Sequence, residues 1–218
     1  MKESFSHLKD FIYLWIYTKR YKDIIISDNE SKWSKKLSLL RSEEYKLSRS
    51  FLRKSLSNLF NIDPLNIPII AKPNTSPELP REYGYVSLSH CNDAFLVGWS
   101  KKKIGIDIEN NNRTLNSSKL VKRLFTENEK NNFYSKGFDN NKLILPFWTI
   151  KESAVKWDRS SIFSNLKNWE INLHKNKILN LQKNISLDFE TLKYKKWVIS
   201  SATQKTLLTR SNFLCVMD

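Results

Sequence analysis

Four glycines, two cysteines and three histidines are few for a chain of 218 residues. No apolar run approaches the roughly 20 residues needed to cross a bilayer. Cys91 and Cys215 lie far apart and, with only His7, His90 and His174 beside them, form no zinc-ligand spacing. Two thiols without a secretion signal read as reduced residues of a cytoplasmic protein. The longest early apolar run, 11–17 (Phe-Ile-Tyr-Leu-Trp-Ile-Tyr), lacks the basic start and small-residue cleavage site of a signal peptide, so it reads as a buried strand. A mean hydropathy of -0.52 with scattered charge argues against a membrane protein. What is present is a core: 40% hydrophobic residues, with 7 Trp and 12 Phe, enough for one large domain or two small ones.

The formal charge is +15. Such a chain attracts polyanions, whether nucleic acid, membrane surface, phosphorylated cofactor or acidic protein. The excess of Lys alongside Asn, Ile and Ser is also what an AT-rich genome produces, so charge alone does not choose a partner.

Periodicity predicts strand 11–17, a polar basic stretch from Lys32 to Arg41, and a helix over 42–60 with Ser42 at its N-cap. Leu47, Phe51, Leu52, Leu56, Leu59 and Phe60 form the helix's apolar stripe, while Lys46, Arg49 and Arg53 lie off it, solvated or facing a ligand. Asp63-Pro64 stops this helix. A proline-punctuated loop leads to three strand-like runs, 85–89, 94–99 and 104–109, whose short links read as an antiparallel meander. Residues 110–116 are polar and loop-like. Helices follow: one section from Ser117, then Thr126-Glu127-Asn128-Glu129 with capping-box spacing and Gly137 as a stop, then 143–157. From Trp169 to Met217 strand-like runs alternate with polar turns. The order predicts an α+β fold in two halves, 1–109 and 110–218.

Four short patterns carry chemistry. In Ile104-Gly105-Ile106-Asp107-Ile108-Glu109 the three isoleucines share one strand face and the two carboxylates the other. Paired carboxylates repel unless a cation lies between them, and oxygen-only ligands suit Mg²⁺; an edge strand with a solvated acidic face explains them equally. In the run from Trp148 to Lys156, Trp148, Glu152 and Lys156 fall on one helical face, with Phe147, Ile150, Ala154 and Trp157 on the buried one. Glu152 and Lys156 supply a carboxylate and a phosphate-pairing cation, or make an ordinary surface pair. Ser89-His90 closes a strand where phosphate oxygens could bind, or is a polar strand end. Lys72-Pro73 projects a charge from a stiffened loop, or is a solvated lysine.

In this order and spacing the four patterns resemble the Sfp-type 4′-phosphopantetheinyl transferases, which carry a Gly-Lys-Pro loop, a Ser-His strand end, a Gly-x-Asp-x-Glu strand and a Trp-x-x-Lys-Glu-Ser-x-x-Lys helix. Phe125 to Glu129 also resembles that family's Phe-Ser/Thr-x-x-Glu helix start. The resemblance implies two pseudo-symmetric halves, each an antiparallel sheet packed with helices, in a cytoplasmic monomer with coenzyme A between the halves. It implies transfer of phosphopantetheine from coenzyme A to a serine of an acyl, polyketide or peptidyl carrier protein, releasing adenosine 3′,5′-bisphosphate. Asp107, Glu109 and Glu152 would hold Mg²⁺, with Mn²⁺ as the alternative. Glu152, Lys156 and Asp107 would be catalytic. Lys72, Pro73, Ser89, His90 and Lys156 would grip the cofactor, and Arg53 with Lys32, Lys35 and Lys36 would reach its 3′-phosphate. Lys130 and Lys136, near Phe133 and Tyr134, would meet an acidic carrier, with no role for nucleic acid or membrane. The rivals are a Mg²⁺-dependent nuclease and a basic nucleic-acid-binding module. Ala71 in place of the usual Gly, Cys91 in place of Ser, Pro146 near the helix start, and Asp158 to Ile162 in place of a Gly-x-Gly turn depart from the family pattern.

Overall fold

In the computed structural model, residues 8, 10–19, 23–115, 117–135, 140–159, 166–204 and 212–217 are described. They fall into two compact units: Met1–Ser89 with Asp93–Lys103 and Leu207–Asp218, and His90–Asn92 with Ile104–Thr206.

The first unit is built on a four-stranded sheet. Strand β1 (Tyr13–Thr18) lies between β3 (Ala94–Ser100) and β9 (Asn212–Met217), and β2 (Tyr85–His90) flanks β3. Five of β1's six residues are buried, which is why its sequence is apolar without alternation. β1 runs antiparallel to β3, from Tyr13 opposite Trp99 to Thr18 opposite Ala94. It runs parallel to β9, with a register shift between Leu14 and Trp15. Helix α1 (Asp28–Ser34) precedes α2 (Leu39–Phe60). Phe51, Leu52 and Leu56 of α2 are fully buried, and Phe51 stacks on Tyr17 at 4.3 Å between ring centres.

α2 starts three residues earlier than the apolar stripe predicts. Ser38 is the N-cap, and Ser42 is buried one turn inside, its N–H donating to the Ser38 carbonyl at 2.8 Å. Leu39 and Leu40 are 80% and 67% exposed, so the stripe begins only after the first turn. α1 occupies part of the stretch read as merely polar and basic. Ser27 and Glu30 form a reciprocal capping box at its start.

The second unit has a five-stranded sheet in the order β4-β8-β7-β6-β5. Its strands are β4 (Ile104–Asn110), β5 (Trp169–Asn172), β6 (Lys177–Asn180), β7 (Ile185–Tyr194) and β8 (Trp197–Thr203), each paired antiparallel to its neighbour. Helices α3 (Ser117–Leu124), α4 (Glu127–Ser135) and α5 (Asn140–Asp158) belong to it, and α5 packs on β4 and β8.

The α+β class stands. The meander is corrected: β2 and β3 are neighbours, but β4 leaves their sheet and pairs with β8 along its whole length. The 101–103 link is short enough for either path, and only the distant partner strand decides. β9 likewise pairs back to β1 in the first unit. Pro146 lies in the second turn of α5, because the helix begins at Asn140. Gly137 and the 160–162 turn fall outside the described residues.

Candidate functional site: a carboxylate–lysine cluster on β4 and α5

Alternation along β4 puts Gly105, Asp107 and Glu109 on one face, and α5 covers that face. The contact is closest at Gly105. A methyl group there would meet the Ser153 carbonyl oxygen at 1.9 Å and the Trp157 nitrogen at 2.3 Å. Glycine therefore serves space here, with no positive φ required. The close approach sets the next residue on that face beside the helix. Lys156 Nζ lies 2.6 Å from Asp107 Oδ1 and 3.8 Å from Glu152 Oε2.

The solvated-edge reading of Asp107 and Glu109 is thus corrected. β4 is the edge strand of its sheet, yet the two residues are only 2% and 8% exposed because α5 lies over them. Glu152 and Lys156 are not an ordinary surface pair either, with side chains 12% and 19% exposed. Arg113 pairs with Glu109 and stacks on the Trp148 ring, 5.6 Å from its centre.

Burial, with Asp107 nearby, pushes the Glu152 carboxyl up to about 8, against the pull of Lys156. Burial and Asp107 likewise push Glu109 up to about 7, against Arg113, Lys156 and Trp148. Desolvation works against the Lys156 ammonium, but Asp107 and Glu152 together hold its pKa above the ordinary value. Three carboxylates facing two cations leave one negative charge in excess when all are ionised, and it sits in a poorly solvated place.

A stability trend follows. Below about pH 4.5 the Glu152 carboxyl is protonated in both folded and unfolded chains, and its contribution is fully present. As pH rises towards about 8, ionisation costs the folded state more, and that stability is lost. The melting temperature of the protein without divalent metal should fall across this window, and Glu152→Gln should remove most of the fall. An unchanged slope in the variant would show that Glu152 is not the group responsible.

Among the described residues no three His, Cys, Asp or Glu side chains already form a metal-holding group. The Lys156 ammonium stands between two of the three carboxylates instead. The donor set nevertheless fits a hard divalent cation: the ligands are all oxygen, and burial, together with the neighbouring carboxylate charge, keeps two of them hard to ionise.

Lys151, in the middle of the same helical motif, was given no role by the sequence. It is fully buried, 2.8 Å from Glu129 Oε2, and also donates to the Trp169 carbonyl. Burial pushes the Lys151 ammonium down, with Glu129 pulling it back. Glu129 at the same time completes the expected capping box with Thr126, with bonds of 2.8 and 3.2 Å, and accepts the Ile171 N–H at 2.9 Å.

The other candidates belong to other elements. Lys72 is exposed and Pro73 half-buried in the 70–78 loop of the first unit. Ser89 is buried and His90 exposed at the end of β2. Arg53 does not project towards solvent. It is 3% exposed, donates to Glu30 Oε2 at 2.8 Å and to the Pro64 and Ile67 carbonyls at 2.8 and 3.2 Å, and so ties α1 and the 64–67 turn to α2. That is a structural guanidinium. Lys32, Lys35 and Lys36 are exposed. Lys130 makes a surface pair with Glu127 at 2.7 Å, while the side chains of Phe133, Tyr134 and Lys136 fall outside the described residues.

Residues 103–206, from the start of β4 through the end of β8, match the 4′-phosphopantetheinyl transferase superfamily. That match covers just under half of the chain and agrees with the resemblance read from its motifs. One relative is the 4′-phosphopantetheinyl transferase ffp of Bacillus subtilis, 26% identical over 134 residues that cover 61% of this chain and 53% of the relative. The chain thus spans about half the length of that curated relative. Both findings support a transferase. No helix among the described residues is long and apolar enough to cross a membrane.

Proposed function

We propose that the protein transfers the 4′-phosphopantetheine group of coenzyme A to a serine of an apo acyl, polyketide or peptidyl carrier protein and releases adenosine 3′,5′-bisphosphate. The observation that carries this reading is the buried cluster of Asp107, Glu109, Glu152 and Lys156 inside the segment that matches the superfamily. Asp107, Glu109 and Glu152 would hold Mg²⁺ or Mn²⁺, which when bound neutralises charge on the pyrophosphate. Lys156 pairs with the phosphate undergoing transfer. Glu152, directly or through a water, takes the proton from the serine hydroxyl as its oxygen attacks the β-phosphorus and the bond to the departing bisphosphate breaks. Lys72, Ser89 and His90 grip the nucleotide end. Arg53 drops out of this set because its hydrogen-bonding groups already hold Glu30 and two carbonyls. The superfamily match favours this reading over a nuclease or a nucleic-acid-binding module.

The test is intact-protein mass spectrometry of apo-carrier proteins incubated with the enzyme, coenzyme A and Mg²⁺. A mass gain equal to the arm, absent with EDTA, is the expected result. Asp107→Ala and Glu152→Ala should each slow transfer at least about tenfold, as loss of a metal ligand or base does, while circular dichroism stays that of the parent. No mass gain on any of the three carrier types would sink the proposal. Near-parental transfer by one variant would remove that carboxylate from the site.

A further inference from the structure

We propose that Tyr45 and Arg49 are positioning residues for Lys72, clamping the loop that presents it. The inference rests on the reading above, in which Lys72 contacts coenzyme A, and adds how this chain fixes that contact although Ala71 stands where the family has glycine.

The loop is closed at its base by a mutual backbone pair, Ile70 N–H to the Glu78 carbonyl at 3.0 Å and Glu78 N–H to the Ile70 carbonyl at 2.8 Å. Asn74 makes the turn at its tip with φ of 61°, the left-handed region that asparagine tolerates. Ala71 has no positive φ and is fully buried, so the loop does not need glycine's freedom at that position.

The peptide carbonyls on both sides of Lys72 are held. Two side chains one helical turn apart on α2 donate to the Ala71 carbonyl: Tyr45 through its hydroxyl at 2.7 Å and Arg49 through Nε at 3.2 Å. The Lys72 carbonyl accepts from Thr75 Oγ1 at 2.9 Å, from Thr75 N–H at 3.3 Å and, at the long limit of 3.5 Å, from Arg49 Nη2. The guanidinium is itself fixed, 4.6 Å from the centre of the Tyr45 ring and donating to Ser48 Oγ at 3.2 Å.

The platform beneath is rigid. Phe51, Leu52 and Leu56 anchor α2 in the core of the first unit, and Tyr45 and Arg49 are 7% and 6% exposed. A buried guanidinium is expensive to keep unless its donors are used. Here they are used on the carbonyls that fix the backbone of one exposed lysine. Ordering a loop residue is a cost that a ligand otherwise meets on binding; a loop already ordered by folding leaves more of the Lys72 contact as affinity.

The measurement is calorimetric affinity for coenzyme A together with steady-state KM and kcat, on the full chain and three variants. Tyr45→Phe keeps the ring against which Arg49 stacks and removes one donor; Arg49→Lys keeps the charge and removes the fork; Lys72→Ala removes the presented group. Tyr45→Phe and Arg49→Lys should each raise Kd and KM for coenzyme A about five- to tenfold with kcat within about twofold. In a Lys72→Ala background, Tyr45→Phe should add less than about a twofold change, because its effect passes through Lys72. Multiplicative effects of Tyr45→Phe and Lys72→Ala would overturn the clamp and leave the transferase reading intact. So would a drop in melting temperature with Kd unchanged. Absence of coenzyme A binding by the parent protein would overturn both.

Discussion

Gly105→Ala is expected to break the packing of α5 on β4 and to abolish most of the transfer. The added methyl carbon would lie 1.9 Å from the Ser153 carbonyl oxygen, 2.3 Å from the Trp157 nitrogen and 3.0 Å from Trp157 Cα. All three are helix backbone, so no side-chain rotation relieves the overlap. Strand and helix must separate by about 1 Å or more to reach ordinary contact. Overpacking of a core costs about 1–3 kcal/mol where side chains can yield, and a backbone obstacle places this variant at or beyond the upper end. The separation falls between the element carrying Asp107 and the one carrying Glu152 and Lys156. A misplacement of about 1 Å can cost a reaction about 100-fold. Urea unfolding and carrier mass shift should therefore both show large losses. A variant with the parent's midpoint and rate would mean that the helix does not approach the strand this closely.

Gly105 also shows what the sequence can and cannot reveal. The period of two in Gly105-x-Asp107-x-Glu109 places these residues on one face, and the structure keeps that parity. What the strand cannot show is that the acidic face is covered, because the cover comes from α5, which begins thirty residues after the strand ends. Burial of the carboxylates and the upward push on Glu109 and Glu152 are consequences of that tertiary contact. The sheet to which β4 belongs was hidden for the same reason: its partner β8 is about ninety residues away.

Local capping chemistry is legible in the sequence. Ser27-x-x-Glu30 is the same capping-box signature that marks the start of α4, and it marks the start of α1 just ahead of the basic stretch from Lys32 to Arg41. The start of α2 is not marked by its apolar stripe, because Leu39 and Leu40 in its first turn face water. The scarcity of glycine had a structural reply too. Among the described residues, four of the six non-glycine positions with positive φ are asparagines, at 61, 74, 176 and 184, the residue that best tolerates the left-handed region. Arg53 lies off the apolar stripe of α2, which made it resemble a ligand-facing cation. Its true partner, Glu30, sits on another helix that the periodicity had not located.

Lys151→Met is expected to destabilise the protein by about 3–5 kcal/mol, the usual cost of leaving one member of a buried ion pair alone. Met retains much of the lysine stem's volume, so the loss reports the charge and its hydrogen bonds more than the packing. In the parent, Glu129 accepts from Lys151 Nζ and Thr126 N–H at 2.8 Å each and from Ile171 N–H at 2.9 Å, joining α5, the start of α4 and β5 through one carboxylate. Without the ammonium, a carboxylate 3% exposed keeps only the two backbone donors. Adding Glu129→Gln to Lys151→Met should restore part of the stability, since a neutral amide oxygen can still accept N–H bonds and no unpaired charge remains. The double-mutant cycle should then give a coupling of at least about 1 kcal/mol. The same pair of variants separates a structural Lys151 from a reacting one. A structural lysine predicts a lowered urea midpoint with near-parental transfer per folded molecule, measured well below the unfolding transition. Loss of transfer at parental stability would instead put Lys151 beside Glu152 and Lys156 in the chemistry. A cost below about 1 kcal/mol with no coupling would mean that the buried pair does not hold α5 in place.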